Sequence, residues 1–353
     1  MNILTFFPRF NQNHYSKDVY NLGESLAKDL SYSHHVLHKG NSNILKKKKR
    51  IYQLLDYLTR YYPGILKAKP TILIQFHLRI TTVLTTLLFI FLKRTIFIIK
   101  ADTGEISIKE GKLFNGIKGK STLILLKLLD QLAGNRVIIT FETKQAVKVF
   151  NERHRLYNIQ IIELNNGACL PIGELTNKTS RNEITTIGFF DQNKNLDLLL
   201  HSLFFLKKND SEILGKYNVN IIGPIEESSS KLISSLGLSN EINLLGPITD
   251  RKKIASILCK TSVLVLTSYS EGSPLVFSEA ALCGCSIVST PVNSADFYTT
   301  TTNGKMTRSF CVEEFAQCLA SLMKENLSKD FKFNYHFTWE NTTKQLLKVI
   351  KSK

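Results

Sequence analysis

Val263-Leu-Val-Leu-Thr-Ser-Tyr-Ser-Glu271-Gly-Ser-Pro-Leu-Val-Phe-Ser-Glu279-Ala-Ala-Leu-Cys-Gly284 is the stretch that decides the fold. The four branched aliphatics at its start read as a buried strand. Pro274, after a Gly-Ser pair, opens a helix at a position where its missing N–H costs nothing. In open α/β sheets, ligands sit at the carboxyl ends of the strands, and a helix N-terminus there offers unpaired N–H groups to an anion. Glu271 lies in the loop before that helix and Glu279 about one and a half turns inside it.

Working outward, Glu183-Ile-Thr-Thr-Ile-Gly188 reads as a strand, Asp191 to Asn195 as a loop and Leu196 to Leu206 as an apolar helix. Further strands fall at Val219 to Ile222, Ile242 to Leu245 and Ser286 to Ser289, with helices near Ser228 to Leu236, Asp250 to Cys259 and Pro274 to Leu282. The first half alternates in the same way. Its strands are the opening run to Pro8, Thr71 to His77, Thr95 to Ile99, Asn135 to Phe141 and Ile159 to Leu164, with helices at Val19 to Leu30, after Lys46-Lys47-Lys48-Lys49-Arg50, and at Arg79 to Leu92. Strands separated by helices imply parallel sheets with right-handed crossovers. The prediction is an α/β chain of two doubly wound, Rossmann-like domains facing a central cleft. They span 1–168 and 183–330, with a loop-rich linker at 169–182 and a C-terminal helix at 331–353 returning to the first domain.

By the strand-end rule, His77, Lys100 and Asp102 point into that cleft, and a charged pair directly after an apolar strand must find partners or water. Phe114 to Ser121 imitates the end of a phosphate-binding loop, but Phe114 stands at the first glycine position. Ser121 is therefore expected to cap a helix over Thr122 to Leu132.

The chain of 353 residues carries a net charge of +17. Residues 1–170 hold 26 Lys and Arg against 11 Asp and Glu, a balance of +15, which leaves +2 for the rest. An anionic partner is thus expected on the first half, and Lys46 to Arg50 is the candidate contact for lipid headgroups. Six scattered cysteines without CxxC spacing suggest a reduced, cytosolic chain with neither disulfides nor a zinc site. No secretory signal opens the sequence, and the apolar run ending at Leu92 is too short to span a bilayer.

Taken together, these residues resemble a GT-B-fold glycosyltransferase of family 4, the retaining, nucleotide-sugar-dependent group. The resemblance rests on the loop from Gly188 to Lys194-Asn195, on Leu244-Leu245-Gly246, on Glu271-Gly272-Ser273-Pro274 with Glu279 eight positions after the first glutamate, and on Phe337-Thr-Trp339-Glu340. It implies that Glu271 holds donor-sugar hydroxyls, Glu279 the nucleotide ribose and Lys194 the donor diphosphate. Gly188, Gly246, Gly272, Ser273, Pro274 and Leu275 would complete the donor site. His77 and Asp102 join Glu271 and Lys194 as catalytic candidates, and Lys100 joins Lys46 to Arg50 on the acceptor and membrane side. Phe189 stands where the family usually has an arginine, so Arg9 or Lys100 would have to complete the diphosphate site.

No Asp-x-Asp motif occurs, so the resemblance requires no metal and no cofactor besides the nucleoside-diphosphate sugar, which is substrate. The expected function is sugar transfer with retention to a lipid-linked or polysaccharide acceptor in cell-surface glycan synthesis, at the inner face of an anionic membrane, with no nucleic acid involved. A sugar-nucleotide epimerase and a non-catalytic GT-B binding module are the alternatives.

Overall fold

The computed structural model describes residues 1–8, 17–38, 62–92, 94–172, 181–272 and 274–353. Arg9, the Lys46 to Arg50 run with the helix expected after it, and Ser273 lie outside the described residues. The chain divides into two units, one of Met1–Asn166 with Trp339–Lys353 and the other of Gly167–Thr338.

The first unit is built on six parallel strands, β1 (Asn2–Phe6), β2 (Ser33–Leu37), β3 (Ile72–Phe76), β4 (Ile96–Lys100), β5 (Val137–Phe141) and β6 (Gln160–Glu163), in the order β2-β1-β3-β4-β5-β6. Successive side chains on a strand point to opposite faces, and both faces here are apolar. Leu73, Phe97 and Ile99 pack with Val83, Leu126 and Phe150 on one side. Ile72, Ile74 and Ile98 pack with Leu22, Leu26, Trp339 and Leu346 on the other. The last two helices, Trp339–Thr342 and Lys344–Lys351, thus cover one face of this sheet, and burying each such side chain is worth roughly 1.5–3 kcal/mol.

The second unit holds β7 (Glu183–Ile187), β8 (Asn218–Ile222), β9 (Ile242–Gly246), β10 (Thr261–Leu266), β11 (Ser286–Ser289) and β12 (Lys305–Met306), all parallel, in the order β12-β11-β10-β7-β8-β9. Val263 and Val265 face a core with Leu199, Leu203 and Phe315. Their neighbours Leu264 and Leu266 face another with Phe277, Ala281 and Tyr298. Arg181, in the stretch read as a linker, is buried in this unit, where it donates to the carbonyls of Thr261 and Cys283 at 3.1 and 2.8 Å.

One local expectation is corrected, and two elements were not expected. The helix expected from Thr122 begins six residues earlier and spans Gly116–Leu132; Asn115 caps it, and Ser121 lies inside, donating to the Ile117 carbonyl at 2.9 Å. Gly119 lies inside this helix and is needed for close approach, since a Cβ there would overlap the Phe114 backbone. Strand β2, Ser-His-His-Val-Leu, has no apolar run to announce it, and the helix Ala295–Thr301 was hidden among polar residues. No helix among the described residues is long and apolar enough to cross a membrane.

Candidate functional site

Numbered within the second unit, the strand order reads 3-2-1-4-5-6, so the direction of winding reverses between β7 and β10. The loops leaving those two strands part to opposite sides and open a crevice at their carboxyl ends. The loop after β7 is Gly188-Phe-Phe-Asp-Gln-Asn-Lys194-Asn195. Phe190 is buried and anchors it, and the Asp191 carboxylate accepts from the Lys194 N–H at 3.1 Å, setting the turn Gln192–Lys194. Asn195 then takes the left-handed conformation, φ 46°, before the helix Leu196–Asn209.

This loop is stitched to the one after β10. Asn193 donates to the Ser270 carbonyl at 2.9 Å, Tyr269 N–H donates to the Asn193 carbonyl at 2.8 Å, and Thr267 Oγ1 donates to the Lys194 carbonyl at 2.9 Å. The Lys194 ammonium accordingly reaches Glu271 Oε1 at 2.5 Å. Ser268 donates to the same oxygen at 2.6 Å, and Asn293 donates to the Glu271 carbonyl at 2.6 Å. Both charged side chains keep partial access to solvent.

Glycines make room on the β7–β9 side. The nearest atom to a Cβ at Gly188 would be Lys194 Cε at 3.3 Å, so the lysine stem lies along this bare backbone. Gly223, φ 133°, crosses so close to the Gly188 carbonyl that a Cβ would overlap it. Its N–H donates to the Gly246 carbonyl at 2.9 Å, and Gly246 is itself left-handed, φ 63°. Gly246, Gly188, Lys194 and Glu271 are thereby joined through successive contacts.

Glu279 is buried on the helix Leu275–Leu282, which Pro274 precedes and Leu275 opens; Gly272 is exposed. Burial pushes the Glu279 carboxyl above its ordinary range, although Arg251 donates to Oε1 and opposes the shift. Arg251 opens the helix Arg251–Leu258 and also donates to the Cys169 carbonyl at 3.3 Å. Sequence reasoning missed Arg251 and Asn293, because each meets its glutamate through the fold, and Ser268, whose contact with Glu271 depends on the local turn of the loop; only the Asp250 cap hinted that Arg251 opens a helix. Phe189 is 69% exposed at the rim of the β7 loop and adds no cation.

The first unit has its own charged cluster. Register pairs Lys100 at the end of β4 with Phe76 of β3 and Thr140 of β5, which brings His77 and Glu142 beside it. Lys100, expected to face an anionic acceptor, is instead fully buried: its ammonium lies 2.8 Å from Glu142, 3.0 Å from Asp102 and 3.3 Å from Asp18. A cation at the end of an apolar strand found its partners inside the protein. Burial opposes its charge, but the three carboxylates together hold its pKa well above the ordinary lysine value.

His77 takes the left-handed conformation, φ 65°, with its N–H donating to the Lys100 carbonyl at 2.8 Å and its carbonyl accepting from Thr82 Oγ1 at 2.8 Å. Its Nδ1 lies 3.0 Å from Asp102. Burial works against the Asp102 charge, yet Lys100 and His77 pull its pKa down to about 2.

Residues 181–325 match the family model described as Glycosyl transferases group 1. This domain belongs to that family. The whole chain has the GT-B fold. It aligns with the lipopolysaccharide outer core galactosyltransferase WaaB in its apo form at TM-score 0.66 and 14% identity, over 100% of this chain and 99% of that one. A sucrose-phosphate synthase from Thermosynechococcus elongatus gives TM-score 0.65 and 14% identity, over 100% and 98% of the two chains. The Anabaena protein HepE in complex with UDP and glucose gives 0.60 and 12%, over the full length of both. No curated protein matches the sequence. The matched segment contains the Lys194–Glu271 pair, the Glu279–Arg251 pair and every glycine of the crevice.

Proposed function

We propose that this glycosyltransferase moves a sugar, with retention, from a nucleoside-diphosphate donor to a hydroxyl of a lipid-linked or polysaccharide acceptor in cell-surface glycan synthesis. The observation that carries the reading is the Lys194–Glu271 pair at the winding reversal of the second unit. A nucleoside diphosphate gains negative charge as it leaves, and a preplaced lysine with the N–H groups at the start of the helix Leu275–Leu282 favours that charge selectively. Glu271 would accept hydrogen bonds from sugar hydroxyls and Glu279 from the ribose. HepE, solved with UDP and glucose, supports a nucleotide-sugar donor.

Front-face displacement suits such a site, because the departing phosphate helps deprotonate the acceptor and no enzyme nucleophile is required. The +15 balance of residues 1–170 supports an anionic acceptor and peripheral attachment to an anionic membrane. Donor hydrolysis or transfer by the native chain, Glu271→Ala and Lys194→Ala tests the reading. Activity surviving both substitutions would sink it, and a C2-epimerised nucleotide sugar as product would replace it with an epimerase.

A further inference from the structure

The helix Gly116–Leu132 is apolar on two opposite sides. At about 100° per residue, Gly119, Thr122, Leu126, Leu129 and Asp130 share one side and are buried. On the other, Ile117, Ile124, Leu128 and Leu132 fall within about 80° of one another. They are 87, 69, 45 and 52% exposed. A helix packed on one side ordinarily turns charge to water on the other, so an outward stripe of four branched aliphatics needs a cover.

The charges beside the stripe say which kind. Lys120 and Lys127 flank it on one side and Lys118 on the other, all exposed. The only acidic residue of the helix, Asp130, is turned inward, where its carboxylate accepts from the N–H groups of Tyr157, Asn158 and Ile159 at 2.8–3.1 Å. Apolar surface edged by cations alone complements a lipid surface with anionic headgroups. Four residues beyond Leu132, Arg136 donates to the carbonyls of Ile90 and Leu92, the residues on either side of the 54% exposed Phe91.

We infer that the outer face of Gly116–Leu132, with Phe91, is a surface that docks the protein on an anionic lipid bilayer, with the helix lying in the interface and its lysines at the headgroups. The inference deepens the membrane part of the proposed function and is independent of its donor chemistry. Binding to vesicles needs no nucleotide sugar, so failure here and failure of the transfer reading are distinguishable.

The test is sedimentation of the full chain with phosphatidylcholine vesicles, with and without about a third phosphatidylglycerol, at low and physiological salt. The native chain is expected to bind the anionic vesicles, less so as salt rises, and the neutral ones weakly. Ile117→Glu with Ile124→Glu is expected to lower partitioning more than about tenfold. Replacing Lys118, Lys120 and Lys127 with Ser should cost about fivefold per lysine at low salt. These positions face outward, so UDP binding and the melting temperature should stay as in the native chain. Three results would each overturn the inference: native partitioning by the isoleucine variant; loss that follows only neutralisation of Lys46 to Arg50; or a native dimer that Ile124→Glu separates without changing vesicle binding.

Discussion

The Lys194 ammonium lies 2.5 Å from Glu271 Oε1, although the two residues ride on loops leaving different strands, β7 and β10. Neither loop alone makes the pair; the bonds through Asn193, Thr267 and Tyr269 lock one against the other. The lysine charge is thereby fixed before any phosphate arrives. Lys194→Ala should lower turnover about 100- to 1000-fold, the range seen when one preorganised partner of a developing charge is lost. Because both residues are partly exposed, the stability cost should stay near 1 kcal/mol, a melting shift of about 2–4 °C. Steady-state donor hydrolysis with a thermal melt checks both.

Glu279 carries a different balance. Burial raises its pKa despite Arg251, so the folded state binds its proton more readily than the unfolded chain does. Stability from this group is fully present below its ordinary value and is lost as pH rises through the raised one. Glu279→Gln should therefore melt higher than the native chain at neutral pH, the difference shrinking as pH falls towards the ordinary carboxylate range, while nucleotide affinity falls at least about tenfold. Melts at acidic and neutral pH with UDP titrations decide it. A variant less stable than native at neutral pH would refute the argument.

What the sequence made legible follows from the period of its apolar residues. Runs such as Val263 to Leu266 and Phe97 to Ile99 are buried on both faces, so they announce themselves as parallel strands. Lys194 and Glu271 were legible as candidates because their loops leave strand ends, and Glu279 because of its spacing from Glu271 inside the next helix and the resemblance which that spacing carries. Their partners were not: Arg251 meets Glu279 and Asn293 meets the Glu271 carbonyl only after folding. Lys100 shows the other limit. An apolar strand ending in lysine tells that the charge needs company, but only the β3-β4-β5 register tells that the company lies inside.

Lys100 therefore makes a prediction about stability. Lys100→Met would leave Asp18, Asp102 and Glu142 around a lost cation, and breaking a buried ion cluster from one side costs about 3–5 kcal/mol. Asp102, lowered to about 2, contributes stability above its ordinary value of 3.8 that is lost as pH falls through about 2. That contribution is about 2 kcal/mol. Urea denaturation across the acid range should show a loss of this size in the native chain and its absence in Asp102→Asn.

Gly223 offers the cleanest separation of backbone geometry from charge. Its φ of 133° is open to glycine and strained for any other residue, and a Cβ would overlap the Gly188 carbonyl. Gly223→Ala must push the β7 loop away, and Lys194 rides on that loop with its stem against Gly188. The substitution removes no charge and replaces none of the residues expected to meet the donor, yet it should lower transfer about tenfold or more, since small misplacements of a positioned group are costly. It should also lower the melting temperature by several degrees. Gly237→Ala, also at positive φ but with open space around its Cβ position, is the control for strain alone. If Gly223→Ala lowered activity no further than Gly237→Ala does, the close crossing of Gly223 over Gly188 would have no part in holding Lys194 in place.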